Sequence, residues 1–151
     1  MNLENEIKQI RGFRNSYHRA SVNLIYTGKW IINLHNDLFE GFGLTLQQYN
    51  ILRILRGQYP NALTVKVIRE RMLDKMSDAS RIVELLRTKG LVERDLNDRD
   101  RRKVDVKISK TGLNLLTDIE MNGNELMDGF LSNLNQEEIE QLNQLLDKLR
   151  R

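Results

Sequence analysis

The sequence predicts a mostly α-helical domain carrying one small β-hairpin. Three observations predict it. Apolar residues recur at helical spacing through most of the 151 residues, one stretch near Val104 switches to strict alternation, and a single proline, Pro60, interrupts the chain.

Taken in order, residues from about Arg14 to Phe39 read as a long helix. Leu24, Ile31, Leu34 and Leu38 make one apolar stripe, and Val22, Ile25, Ile32 and Phe39 make a second. Two apolar faces on one helix exceed what a single small core needs. Glu40-Gly41-Phe42-Gly43 stops it. Thr45 then caps a helix, with Gln48 three residues on as its capping-box partner and Tyr49, Leu52 and Leu55 on its inner face. Thr64 starts a short helix to about Met72, and Ser77 caps another through about Lys89, after which Gly90 takes the left-handed C-terminal position. Leu91-Val92-Glu93-Arg94 reads as a strand, Asn97-Asp98-Arg99-Asp100 as a turn, and Val104, Val106 and Ile108 alternate with Lys103, Asp105 and Lys107 as a second strand. Ser109 or Thr111 begins a long helix to about Leu131, and Asn135 caps a last one. Two short helices followed directly by a hairpin are the winged helix-turn-helix arrangement. One domain, residues 1–151, is expected, with a winged region at about 44–110 between terminal helices at about 10–40 and 111–151.

Composition narrows the function. From Lys66 to Lys110 there are 14 Lys/Arg against 9 Asp/Glu, a net of +5, whereas the rest of the chain carries 10 against 12, a net of −2. A basic middle third between mildly acidic flanks points to an anionic partner. With no cysteine, disulfides, thiolate catalysis and Cys-ligated zinc are excluded. No apolar run approaches the roughly 20 residues that span a bilayer, and the N-terminus lacks a basic segment followed by an apolar one. A cytoplasmic address with no membrane partner is expected.

Two stretches carry candidate chemistry. The start of the second short helix reads Lys75-Met76-Ser77-Asp78-Ala79-Ser80-Arg81. A helix fits the major groove with its N-terminal residues toward base edges. There Ser77 and Ser80 can bond bases or phosphates, and Arg81 can bond guanine bidentately. The plain alternative is an amphipathic helix with a serine cap. The hairpin tip, Asp98-Arg99-Asp100-Arg101-Arg102-Lys103, puts four cations in six residues. An arginine there suits the minor groove, and the alternative is a solvated turn whose acids neutralise its bases. Together they suit two adjacent grooves of one duplex. The candidate DNA-binding residues are Thr64, Lys75, Ser77, Asp78, Ser80, Arg81, Arg99, Arg101 and Lys103. Surplus apolar residues near the C-terminus (Leu115, Leu116, Ile119, Leu126, Phe130, Leu131 and Leu134) join the first helix's stripes in predicting a two-fold dimer. Such a dimer places two reading helices about 34 Å apart on a pseudo-palindrome.

The run Leu44–Arg56, the stretch Ser80-Arg81-Ile82-Val83-Glu84-Leu85-Leu86 with Lys89-Gly90-Leu91-Val92-Glu93-Arg94, and the wing with Ser109-Lys110-Thr111-Gly112 together resemble the MarR family of transcriptional regulators. The resemblance spans roughly residues 15–150. It implies that the helix from Ser77 to Lys89 reads the major groove and that Arg99 reaches the minor groove. The family's wing pattern Asp-x-Arg-Asp-x-Arg falls on Asn97 to Arg102, so Asp100 and Arg102 would brace the wing. Asn97 stands where the pattern has its first acid, which implies different bracing here. The resemblance also implies a homodimer on double-stranded DNA, a repressor in many cases. Release would come from a small aromatic or phenolic effector bound between the dimerisation and DNA-binding parts.

Other residues point nowhere specific. His18 and His35, 17 residues apart on one helix and so about 25 Å apart, cannot share a metal within one chain. His35, and the pair Tyr26 and Trp30, are either packing residues or the wall of a ligand pocket. No nucleophile, acid pair or phosphate loop forms a catalytic constellation, so no enzyme and no cofactor are expected. The competing reading is a winged-helix protein-interaction module without specific DNA binding.

Overall fold

Thr45 and Gln48 close a reciprocal cap: the Gln48 amide donates to Thr45 Oγ1 and the Thr45 amide donates to Gln48 Oε1, each at 3.2 Å. That cap starts the helix on which the fold is built. In the computed structural model, residues 2–97, 100 and 103–151 are described. The elements run α1 (Leu3–Glu6), α2 (Ser16–Glu40), α3 (Leu46–Arg56), β1 (Leu63–Thr64), α4 (Val65–Arg71), α5 (Ala79–Thr88), β2 (Val92–Leu96), β3 (Val104–Ile108), α6 (Lys110–Gly129) and α7 (Gln136–Leu149).

The winged helix-turn-helix with flanking terminal helices is therefore present, with three corrections. The wing is a three-stranded antiparallel sheet in the order β1-β3-β2 rather than a two-stranded hairpin, because Leu63 and Thr64 pair with Val106 and Asp105. Asp78, not Ser77, caps α5, its Oδ1 accepting from the Arg81 amide at 3.1 Å. And α1 is an additional short helix, tied back to α2 by the Glu4–Arg19 ion pair.

One core gathers Ile51, Leu52 and Leu55 of α3, Ile68 of α4, Val83 and Leu86 of α5, Val106 and Ile108 of β3, and Leu116 and Ile119 of α6. Leu116 and Ile119 thus belong to this core and not to a dimer face. Helix α6 begins against the β-turn before β2. Ser109 Oγ donates to the Gly90 carbonyl and accepts from the Gly112 amide, and a Cβ on Gly112 would overlap the Leu91 carbonyl oxygen. Gly90 has φ +71°, which favours glycine.

The terminal helices are different. Helix α7 buries no residue, and α2 buries only Phe39. Leu24, Ile25, Tyr26, Trp30 and Ile32 on α2, and Leu126, Leu131, Leu134, Leu145 and Leu149 toward the C-terminus, are all exposed. Among the described residues no helix is long and apolar enough to cross a membrane.

Candidate nucleic-acid interface

The turn between α4 and α5 is built by short side chains bonding backbone. Asn50 on α3 accepts from the Leu73 amide at 2.9 Å. Asp74 accepts from the Met76 amide at 3.0 Å and from the Ser77 hydroxyl at 2.7 Å. These bonds, the Ser77 hydroxyl first, hold the Asp74 carboxyl below the usual aspartate range. The turn therefore leaves Lys75 exposed and Met76 94% exposed.

Helix α5 follows with Ala79, Val83 and Leu86 inward and Ser80 and Arg81 outward. Its start is thus open. Among the described residues Arg81 makes no ion pair. Ser77 and Asp78 are committed to local bonds, and Thr64 caps α4 by accepting from the Val67 amide at 3.4 Å. These three side chains make local bonds that shape the two helix starts.

Beside α5 lies a groove of about 640 Å³ whose polar lining is Thr64, Lys66, Glu70, Ser80, Arg94 and Lys103. It joins α4, the start of α5 and the wing. A smaller depression adds Arg69 beside Lys66, Ser77, Asp78 and Ser80. Lys66 and Arg69 were absent from the expected set. The basic block beginning at Lys66 was the signal that could have found them.

The wing is fastened to α5 by Glu84, whose carboxylate pairs with Arg87 at 2.6 Å on its own helix and with Arg94 of β2 at 3.0 Å. Both cations, Arg87 foremost, lower its pKa. Nearer the tip, Lys103 is exposed and its Nζ lies 3.7 Å from the half-buried Asp100. Arg99, Arg101 and Arg102, the expected minor-groove and bracing arginines, lie outside the described residues.

A second, mostly apolar cavity of about 350 Å³ sits between α2 and α3, lined by Ile31, Ile32, His35, Leu46, Asn50 and Leu73 among others. His35 Nδ1 is 2.9 Å from the Ile31 carbonyl. A carbonyl only accepts, so Nδ1 carries the proton and Nε2 is left an acceptor in the neutral ring. Tyr26 and Trp30 do not line this cavity. They border a separate depression beneath α1 with Leu3 and Arg19.

Comparison with known proteins finds one family in common. A family model described as the MarR family matches residues 42–103, the stretch from α3 through β2. The structure of a MarR transcription factor from Planctomyces limnophilus is 29% identical, covers 91% of this chain and 98% of its own, and superposes with a TM-score of 0.70. The chain has the MarR fold, and its central stretch is similar to the MarR family. The same fold recurs in a mutant MarR from E. coli complexed with operator DNA, at 23% identity, 99% coverage of both chains and a TM-score of 0.77. It recurs again in Bordetella bronchiseptica BpsR, whose DNA binding is regulated by 6-hydroxynicotinic acid, at 20% identity, 88% and 99% coverage and a TM-score of 0.74. No curated protein sequence matches the chain.

Proposed function

We propose that this chain is a MarR-family transcription regulator, a sequence-specific repressor that binds a pseudo-palindromic operator as a homodimer and releases it when a small aromatic effector binds. One observation carries the reading. The exposed start of α5, through Ser80, and the base of the wing share a single groove lined by Lys66, Arg94 and Lys103. A helix end and a basic wing that open onto one groove suit neighbouring grooves of one duplex. Ser80 and Arg81 are assigned to base edges, Lys75, Arg101 and Lys103 to phosphates, and Arg99 to the minor groove. Ser77, Asp78 and Thr64 set the geometry of the two helix starts, and Asp100 and Arg102 brace the wing.

The bare apolar faces of the terminal helices support the homodimer, since a second copy would cover both chain ends at once. The DNA-bound E. coli relative supports the operator. The cavity between α2 and α3 supports the effector. It touches Leu73 and Asp74, the residues that position the start of α5, so an occupant that displaces them would disturb the reading helix.

Selection of bound sequences from random duplex DNA tests the reading. The expected result is an inverted repeat bound with a steep salt dependence. Arg81→Ala should cost about tenfold or more on that sequence and relax the preference at one position of each half-site. A folded dimer that shifts no duplex at moderate salt would defeat the proposal and favour a protein-contact role.

A further inference from the structure

Asn97 stands at the end of β2, opposite Lys103, where its amide donates to the Lys103 carbonyl at 3.0 Å. Its side chain works at both ends. Oδ1 accepts from the Asp100 amide at 2.9 Å, and Nδ2 donates to the Asp105 carboxylate at 2.8 and 3.0 Å. One side chain thus joins the end of β2, the backbone at Asp100 and β3.

The chemistry of that position is selective. Asp105 lies directly across from Asp95, so two carboxylates already face each other on this side of the sheet. An aspartate at 97 could accept from the Asp100 amide only against repulsion from that pair, which would push its carboxylate away. Its other oxygen would meet the Asp105 carboxylate with no proton to share, adding a third negative charge to the face. Only a side chain that accepts on one side and donates on the other satisfies both neighbours.

We propose that the Asn97 amide is the positioning residue of the wing, fixing the backbone at Asp100 by clamping its amide to the Asp105 carboxylate. This rests on the reading that the wing meets DNA. It explains how the wing is braced although the family pattern's first acid is missing.

The first measurement needs no DNA. Backbone hydrogen exchange at Asp100 should speed up about fivefold or more in Asn97→Ala and Asn97→Asp. It should return toward the wild-type rate in the double variant Asn97→Asp/Asp105→Asn, where donor and acceptor are exchanged. The second measurement is binding to the selected duplex. Asn97→Ala adds no charge, yet it should weaken binding about fivefold with the melting temperature little changed. Its effect should vanish when Arg99 is already alanine, as expected of two residues acting through one element. The clamp is refuted if Asp100 exchange is the same in Asn97→Ala as in wild type, or if the exchanged pair protects no better than Asn97→Asp. Its role in positioning is refuted if Asn97→Ala binds like wild type or if its loss simply adds to that of Arg99→Ala. Failure of the DNA-binding reading looks different: wild type itself binds no duplex, and the exchange data still decide whether the clamp exists.

Discussion

The winged lobe and the terminal helices spend their apolar residues in opposite ways. In the lobe, Ile51, Leu52, Leu55, Ile68 and Leu86 are wholly buried within one chain. In α7, Leu145 and Leu149 each remain 64% exposed, although the helix is well capped by the reciprocal Asn135–Glu138 bonds. Good local helix chemistry therefore exists without a packed surface. The difference teaches that the lobe's apolar residues are satisfied inside the chain, whereas the terminal helices keep apolar faces that the chain itself does not cover.

The largest test of that contrast is a pair of truncations. Leu52→Ala should cost about 2–5 kcal/mol in urea unfolding, while Leu145→Ala should cost far less in the lobe. Equal losses would erase the distinction. Next in size is dimerisation. Leu126→Asp combined with Leu145→Asp should halve the mass seen by light scattering while the circular dichroism of the lobe is retained. A dimer that persists would place the interface elsewhere. Smaller still is the start of α5, where Asp78→Ala should cost about 1 kcal/mol as a lost cap and Ser77→Ala distinctly less. The reverse order would return the cap to Ser77.

The smallest effect lies at the border of the two regions. Glu120 on α6 accepts from Arg56 at 2.5 Å and has Arg53 at 3.7 Å, both on α3. Arg56 above all holds the Glu120 carboxyl below the usual glutamate range. The pair is about one-third exposed, so Glu120→Gln should cost under about 1 kcal/mol. A lowered carboxyl stabilises the folded state at pH values above its unfolded pKa, and the benefit is lost as pH falls through the folded one. Between neutral and mildly acidic pH the variant should trail wild type, and the two should converge in stronger acid. A gap that widened on acidification would reverse the assignment.

Much of this was legible in the sequence, because local rules decided it. Thr45 with Gln48, Ser109 before α6 and Asn135 before α7 are caps that act over three residues. The alternation from Val104 to Ile108 is long enough to show its period. What escaped was either too short or too distant. β1 has two residues and no period, and its existence depends on Val106 and Asp105 some forty positions away. α1 has a single turn. Ser77 and Asp78 are both good caps, and the choice fell to Asp78 because Asp74 engages the Ser77 hydroxyl. In the candidate site, Ser80, Arg81 and Lys103 emerged exposed as expected. Lys66 and Arg69 joined them only through folding, and Asn97 gained its role from Asp105 across the sheet.

The tie between Glu84 and Arg94 has a consequence for selectivity. Because it spans from α5 to β2, it ties the helix to the base of the hairpin, and under the proposed DNA-binding reading it would help set the spacing of these two prongs before any duplex arrives. A sequence with suitable bases but the wrong local pitch would seat one prong and miss the other. Base pairs that this protein never touches would then still decide where it settles.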